Sequence, residues 1–388
     1  MSILYTSNKS FYTITDAGVT EYTSEKIVNY CNTVKSIRQK NEWKTSGTGA
    51  KFMNSYVPEY NEEFIKMQTA INGVAHLDGE IVYTATLGEI SGIFKKTFDN
   101  ATAEGFVMST KDMQINKIAV ANGKCAASVG SGGMERHIAL FDLSTGSYRE
   151  LTEGDVIEDY PSFSVDGSKI YYSIAGLALS QAGFPIGVSP YGLFCYDVAT
   201  NELHDMLESD SHDYIAPKEE RNGCLLFIKK PYRNARQGGN IFKDIVFFPV
   251  RIIKAIGGLL NYFSIVFGGE SLRSGKSTRD VKSKQMSEKD LFFDGNVLNA
   301  EQTYRDNQRR GEQFPGIIPH SWELMRLDKN GNQTSVKKGV MDYTICKNGD
   351  IVYSNGNAVI RLTPDGDEQL LEKTQMANNL AEISMVAK

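Results

Sequence analysis

Between Asp159 and Gly176 the chain reads Asp-Tyr-Pro-Ser-Phe-Ser-Val-Asp-Gly-Ser-Lys-Ile-Tyr-Tyr-Ser-Ile-Ala-Gly. Asp166-Gly167 supplies the φ > 0 positions of a tight hairpin turn. Its flanks, residues 161–165 and 170–174, read as strands, the second rich in β-branched and aromatic residues. A lone hairpin is marginal in water. The constraint on the fold is that variants of this unit recur along the chain.

An inner pair of strands around a Gly-containing turn is repeated at Asp78-Gly79, Asn122-Gly123, Asn222-Gly223 and Asn348-Gly349. Outer hairpins follow, at residues 92–108, 138–151, 192–203, 323–336 and 358–371. The second and third of these share an Asp at the strand end, Asp142 and Asp197, followed by a Thr-containing turn. That internal echo marks a repeat architecture.

The two ends of the chain complement each other. Residues 381–388 look like an inner strand without a partner, and residues 3–22 look like three strands lacking an inner one. Joining them completes one more unit, which is how a propeller hides its sheet edges. The predicted fold is all-β: a six-bladed propeller, with five blades centred near residues 90, 130, 185, 225 plus 330, and 355, and a sixth shared by the termini. The run from Asp159 to Ser173 resembles the repeat of TolB-like propellers, the Asp-Gly variety of WD40-like repeat. The resemblance implies six blades and no particular activity, because that repeat serves many functions.

Of 388 residues, 41% are hydrophobic and 23% charged, ordinary values for a soluble globular protein. The amino-terminal residues show no basic region followed by an apolar run, so no secretory signal peptide is expected. The five cysteines never fall in Cys-x-x-Cys spacing. They read as buried free thiols of a cytoplasmic protein.

Two stretches interrupt the strand pattern. From Ser24 to about Ala70, Ile27, Tyr30, Cys31, Val34 and Ile37 follow helical spacing, with Ser24 as candidate N-cap. A connecting helix on the propeller flank is expected there. The larger interruption, residues 233–318, leaves and re-enters within one blade. In its run from Ile241 to Phe267, Lys243, Arg251, Lys254 and Asn261 share one narrow helical sector, and nearly everything else is apolar.

Arg251 and Lys254 near the middle of that run would each cost about 2.5–3.5 kcal/mol in a bilayer. A single span also fails on topology, since the chain must return to the blade it left. An interfacial helix, or a shallow hairpin bent at Pro249 or Gly257-Gly258, meets neither objection. Residues 233–318 carry 14 Lys/Arg and 9 Asp/Glu, a net +5, which leaves −10 on the rest of a chain whose total is −5. Phe242, Phe247, Phe248, Ile252, Ile256, Leu260 and Phe263 would supply apolar contact. Arg251, Lys254 and the following basic run, with Arg273 and Lys276, suit an anionic membrane surface. A protein partner, or the chain's own ring, would cover the same face. Nucleic acid is not expected, since aromatics are not interleaved with the basic run.

Gly269 to Ser277 nearly spells a phosphate-binding loop but has five residues between its glycines where four are needed, so no nucleotide is expected. Asp112, Asp159, Asp213 and Asp342 each precede a predicted inner strand. Gathered at one mouth of a channel, they would suit a cation such as Ca²⁺ or general acid–base work. Each would also cap its own turn. Among the histidines only His212, beside Asp213, adjoins this series. Residues 299–310 read as a polar helix, exposed or mobile. The expected function is that of a non-enzymatic scaffold, cytoplasmic or peripheral at the membrane, binding a protein partner or an anionic membrane surface through its insertion. A cation-dependent hydrolase at the channel mouth is the alternative, and no other cofactor is expected.

Overall fold

The computed structural model describes residues 1–45, 68–99, 103–180, 185–232, 290–293 and 296–383. The first seven strands are β1 (Ile3–Ser7), β2 (Ser10–Thr15), β3 (Gly18–Thr23), β4 (Thr69–Leu77), β5 (Glu80–Leu87), β6 (Ile90–Thr97) and β7 (Gly105–Thr110). Helix α1 (Glu25–Thr45) lies between β3 and β4. Next come β8 (Gln114–Ala121), β9 (Lys124–Gly130), β10 (His137–Asp142), β11 (Tyr148–Glu150), β12 (Val156–Phe163), β13 (Lys169–Leu179), β14 (Pro185–Val188), β15 (Gly192–Asp197) and β16 (Leu203–Leu207). The remainder are β17 (His212–Glu219), β18 (Leu225–Pro231), β19 (Asp290–Phe293), β20 (Asn296–Asn299), helix α2 (Ala300–Arg309), β21 (Glu323–Leu327), β22 (Gln333–Lys338), β23 (Asp342–Ile345), β24 (Ile351–Ser354), β25 (Val359–Leu362), β26 (Glu368–Glu372) and β27 (Asn378–Glu382).

These strands build six antiparallel blades. Blade one is β27-β1-β2-β3, blade two β4 to β7, blade three β8 to β11, blade four β12-β13-β15-β16 with β14 added to β13, blade five β17-β18-β21-β22, and blade six β23 to β26. The innermost strands touch in the cycle β4, β8, β12, β17, β23, β27 and back to β4. The ring closes between the termini, with Ile3 opposite Glu382 and Leu4 opposite Ala381. The last strand begins three residues earlier than its sequence pattern suggested, and residues 384–388 lie outside the described residues.

The predicted turns form for the expected chemical reasons. Gly167 takes φ +76°, and Asp166 Oδ1 accepts the Ser168 N–H at 2.9 Å. Asp142 Oδ1 accepts the N–H groups of Ser144 and Thr145 at 2.9 and 3.1 Å, and Asp197 Oδ1 those of Ala199 and Thr200 at 2.9 and 3.0 Å. The repeated Asp is therefore an Asx turn that seeds the outer hairpin. Hydrophobic residues of the inner three strands fill the spaces between blades. One cluster joins Leu226, Ile228 and Leu324 of blade five to Tyr343, Tyr353 and Ile360 of blade six.

Helix α1 forms where expected. Ser24 caps it, its Oγ accepting the Ile27 N–H at 3.3 Å. Ile27 is buried against the ring, so the first turn of the helix docks there, whereas Ile37 is 56% exposed. Residues 46–67 lie outside the described residues, and the strand after them starts at Thr69, five residues before the expected apolar run. Helix α2 departs from expectation differently. Asn299 caps it, accepting the Gln302 N–H at 2.9 Å. Asn307 is only 2% exposed and donates to the Gly316 and Ile318 carbonyls at 3.0 and 2.9 Å. A polar helix is thus held by amide hydrogen bonds where no apolar stripe was available.

Candidate functional site

All six inner strands contribute to one cavity of about 420 Å³ on the ring axis. Its polar lining is Asn72 from β4, Asn116 and Lys117 from β8, Asp159 from β12, Asp342 from β23 and Asn378 from β27, with Arg136 reaching in from the segment before β10. Ile71, Tyr160, Ile215, Ala216, Ile228 and Met341 complete the wall. Five of the six inner strands are interrupted by a bulge at this level, between Ile71 and Gly73, Ile115 and Ile118, Asp159 and Ser162, Ile215 and Lys218, and opposite Leu4–Thr6 in β27. A bulge leaves a residue unpaired and re-aims side chains. Tyr160, Ala216 and Asn379 take φ of 56°, 55° and 55° there, and Pro161 and Pro217 follow where no ladder N–H is required.

The four aspartates singled out in the sequence are not equivalent. Asp159 and Asp342 line the cavity, and each accepts the N–H of the next residue, at 3.0 and 2.8 Å. Asn378 makes the same local bond at 2.9 Å, so it holds the corresponding place in blade one. Asp213 sits two residues earlier in its strand, buried, accepting the Tyr191 N–H at 3.0 Å. Asp112 is exposed in the turn before β8. Asp159 also pairs with Arg136 at 3.2 Å, and Asp342 Oδ2 takes the Leu380 N–H at 3.0 Å. Among the described residues, no group of three or more His, Cys, Asp or Glu is placed to hold a metal ion. His212 hydrogen-bonds Ser211 at 2.8 Å and is not part of the cavity wall.

Basic residues, unnoticed in the sequence, are the distinctive feature. Lys117 Nζ donates to Asn379 Oδ1 at 2.7 Å and lies 5.8 Å from the centre of the Tyr160 ring. Lys218, which follows the blade-five bulge, donates to the Tyr343 carbonyl and lies 4.9 Å from the centre of the Tyr343 ring. Loss of hydration pulls the Lys218 pKa down; Asp342 opposes this and the Lys117 charge adds to it. Loss of hydration also works against the Arg136 charge, but Asp159 and Tyr191 more than offset it, so its pKa rises. No spacing signal marks these three residues, since they meet only when the ring closes.

The insertion leaves and re-enters at the end of blade five where the inner strand begins. His212, first in β17, stands opposite Pro231, last in β18, and Lys229 pairs with Glu323 at the start of β21. Lys230 Nζ, at the exit, stacks 4.9 Å from the Trp322 ring at the return. The returning segment crosses to blade six, where Asn355 donates to the Phe314 carbonyl at 2.8 Å and accepts the Ile317 N–H on its own carbonyl at 3.1 Å. The residues expected to touch a membrane or partner, Phe242, Phe247, Phe248, Arg251, Ile252, Lys254, Ile256, Leu260, Phe263, Arg273 and Lys276, all lie outside the described residues, as does the near phosphate-binding loop at 269–277. Among the described residues no helix is long and apolar enough to cross a membrane.

No protein-family profile matches the sequence, and no curated protein matches it. Solved structures it is similar to include TolB from Acinetobacter baumannii, at 10% identity and a TM-score of 0.49, covering 98% of this chain and 66% of that one. The tricorn protease aligns at 11% identity and a TM-score of 0.31, over 97% of this chain and 39% of its own. A luciferin-regenerating enzyme aligns at 9% identity and a TM-score of 0.40, over 79% and 76%. The chain thus spans slightly under two thirds of the TolB structure. By its own strand order and closure, the chain is a six-bladed β-propeller.

Proposed function

We propose that this protein is a non-enzymatic binding scaffold, and that residues 233–289 attach it to an anionic membrane surface. One observation carries the reading. Blade five is complete without those residues: β18 pairs with β21 from Leu225–Leu327 to Lys229–Glu323, and Trp322 and Lys230 seal the junction. The four strands of the blade therefore pair with one another across the point where the insertion leaves, and the composition of the apolar run is costly to leave in water. A broad apolar face followed by a basic run is the chemistry of an interfacial anchor. Each basic residue near an anionic surface contributes about 1 kcal/mol, and screening within a Debye length of about 8–10 Å makes the attachment salt-sensitive.

The test is flotation with anionic and with neutral vesicles, alongside a variant in which residues 238–270 are replaced by a short Gly/Ser linker. The intact protein is expected to float with anionic vesicles only, less at high salt, and the variant not at all. If the intact protein stays in the soluble fraction and is oligomeric while the variant is monomeric, the same face is a protein interface and the membrane reading fails.

A further inference from the structure

We propose that the axial cavity is a binding site for a small polyvalent oxyanion, a di- or tricarboxylate or a phosphate compound, held by Lys117 and Arg136 of its wall with Lys218 behind them. This goes beyond the attachment role of the insertion and does not depend on it.

The wall carries two cations, Lys117 and Arg136, and two carboxylates, Asp159 and Asp342, and Lys218, bonded to the Tyr343 carbonyl next to Asp342, adds a third positive charge behind it. Lys117 and Lys218 both satisfy their ammonium groups with neutral oxygens, Asn379 Oδ1 and the Tyr343 carbonyl. Among the described residues neither has a carboxylate within ion-pair distance. The nearby carboxylates are committed elsewhere: Asp159 to Arg136 and the Tyr160 N–H, Asp342 to the N–H groups of Tyr343 and Leu380. Arg136 is left with a buried Nε–H that has no hydrogen-bond acceptor. A buried donor without an acceptor is destabilising. The two lysine charges also repel each other across the site.

An oxyanion supplies a counter-charge here, because its oxygens accept from the Lys117 ammonium and the exposed part of the Arg136 guanidinium while its charge offsets that of Lys218 behind the wall. Lys117 and Arg136 are only half-buried, so the charges remain reachable from solvent. The volume, about 420 Å³, falls in the range of small-ligand pockets and excludes a folded partner. Ile71, Ile215 and Met341 provide the apolar part of the wall that such a pocket needs.

Calorimetric titration of the full chain at low ionic strength tests this, with citrate in one arm and inorganic phosphate in the other. Binding of at least one probe at a single site per chain is expected, with a raised melting temperature. Lys117→Met should weaken it at least tenfold, and Lys117→Met with Lys218→Met should abolish it. Lys117→Gln, which keeps a hydrogen-bonding end, guards against misfolding as the cause and should also weaken binding. Arg273→Gln with Lys276→Gln, in the insertion, should leave it unchanged. Absence of binding by either probe at 10-millimolar scale, or equal binding by the folded Lys117→Met and Lys117→Gln variants, overturns the proposal. So does loss of binding on changing Arg273 and Lys276, which would place the anion on the insertion.

Discussion

Glu25 and Glu104 cap each other across 79 residues of sequence. Glu104 Oε1 accepts the Glu25 N–H at 2.9 Å, and Glu25 Oε2 accepts the Glu104 N–H at 3.2 Å. Glu104 Oε2 also takes the Lys26 N–H at 3.2 Å and the Tyr83 hydroxyl at 2.5 Å, while Lys96 stands 3.7 Å away. The carboxylate thus sits on the positive end of α1 and welds the helix to blade two. Glu104→Ala leaves two helix N–H groups and a buried lysine unpaired and should cost about 3–5 kcal/mol. Urea unfolding measures the loss, and hydrogen exchange at Glu25 and Lys26 should quicken. Unchanged exchange at those two amides would show that the helix is held by other contacts.

Glu158 makes stability pH-dependent. It is 2% exposed, with Oε2 accepting the Ile138 N–H at 3.0 Å and the Thr152 hydroxyl. Loss of hydration outweighs those donors and pushes its pKa from 4.5 up to about 7. Below about 4.5 the folded and unfolded chains both hold the proton. Between there and about 7 the folded chain keeps a proton that the unfolded chain releases. Stability therefore falls as pH rises through this window, by up to about 3 kcal/mol, and levels off above it. The difference in melting temperature between Glu158→Gln and the parent should grow in favour of Gln from pH 5 to pH 8. Parallel profiles would place the titration elsewhere.

Gly316 is the contact by which the insertion's return lies on blade six. A Cβ at this position would clash with the Asn355 carbonyl oxygen and lie 2.5 Å from its Cγ. Backbone cannot yield as a flexible side chain would, so Gly316→Ala should cost about 1–3 kcal/mol. The Ile317 amide, bonded to the Asn355 carbonyl, should lose protection first. Protection at the Tyr343 amide in β23 should hold, which separates local detachment from global unfolding.

All five cysteines are free thiols, and they differ in reach. Cys125, Cys195 and Cys346 are buried, and loss of hydration pushes their thiols up, Cys195 to about 11 and Cys346 to about 12. Cys31 and Cys224 are half-buried. A thiol-reactive probe at pH 8 should label Cys31 and Cys224 readily and the other three only in denaturant, since the thiolate is the nucleophile. Rapid labelling of Cys125 in the native protein would contradict the burial of β9.

The blades could be counted in advance because their signals are local. Asp142, Asp166 and Asp197 set turns by bonding N–H groups two or three residues away, so turn chemistry appears directly in the order of residues. Closure was likewise implied by two ends that each lacked what the other had. The level of each aspartate was not. Asp159 was expected in a loop before its strand, yet β12 runs from Val156 to Phe163 straight through it. The bulge that permits this is built on Tyr160 at φ +56°, a residue type that ordinarily avoids that conformation. No glycine announces it.

Sequence alone therefore determined the hairpins of the six blades, the closure of the ring and the place where an apolar, basic stretch departs from it, but not the β13–β14 and β19–β20 pairs. Tertiary structure decided what faces the axis. Lys117 meets Asn379 across 262 residues, and Lys218 meets Tyr343 across 125. Such contacts have no period in the chain, because they depend on which side chain a bulge turns inward and on which blades ring closure makes neighbours. Turn preferences are energies of a few adjacent residues, whereas the charge of the channel is a property of the closed circle.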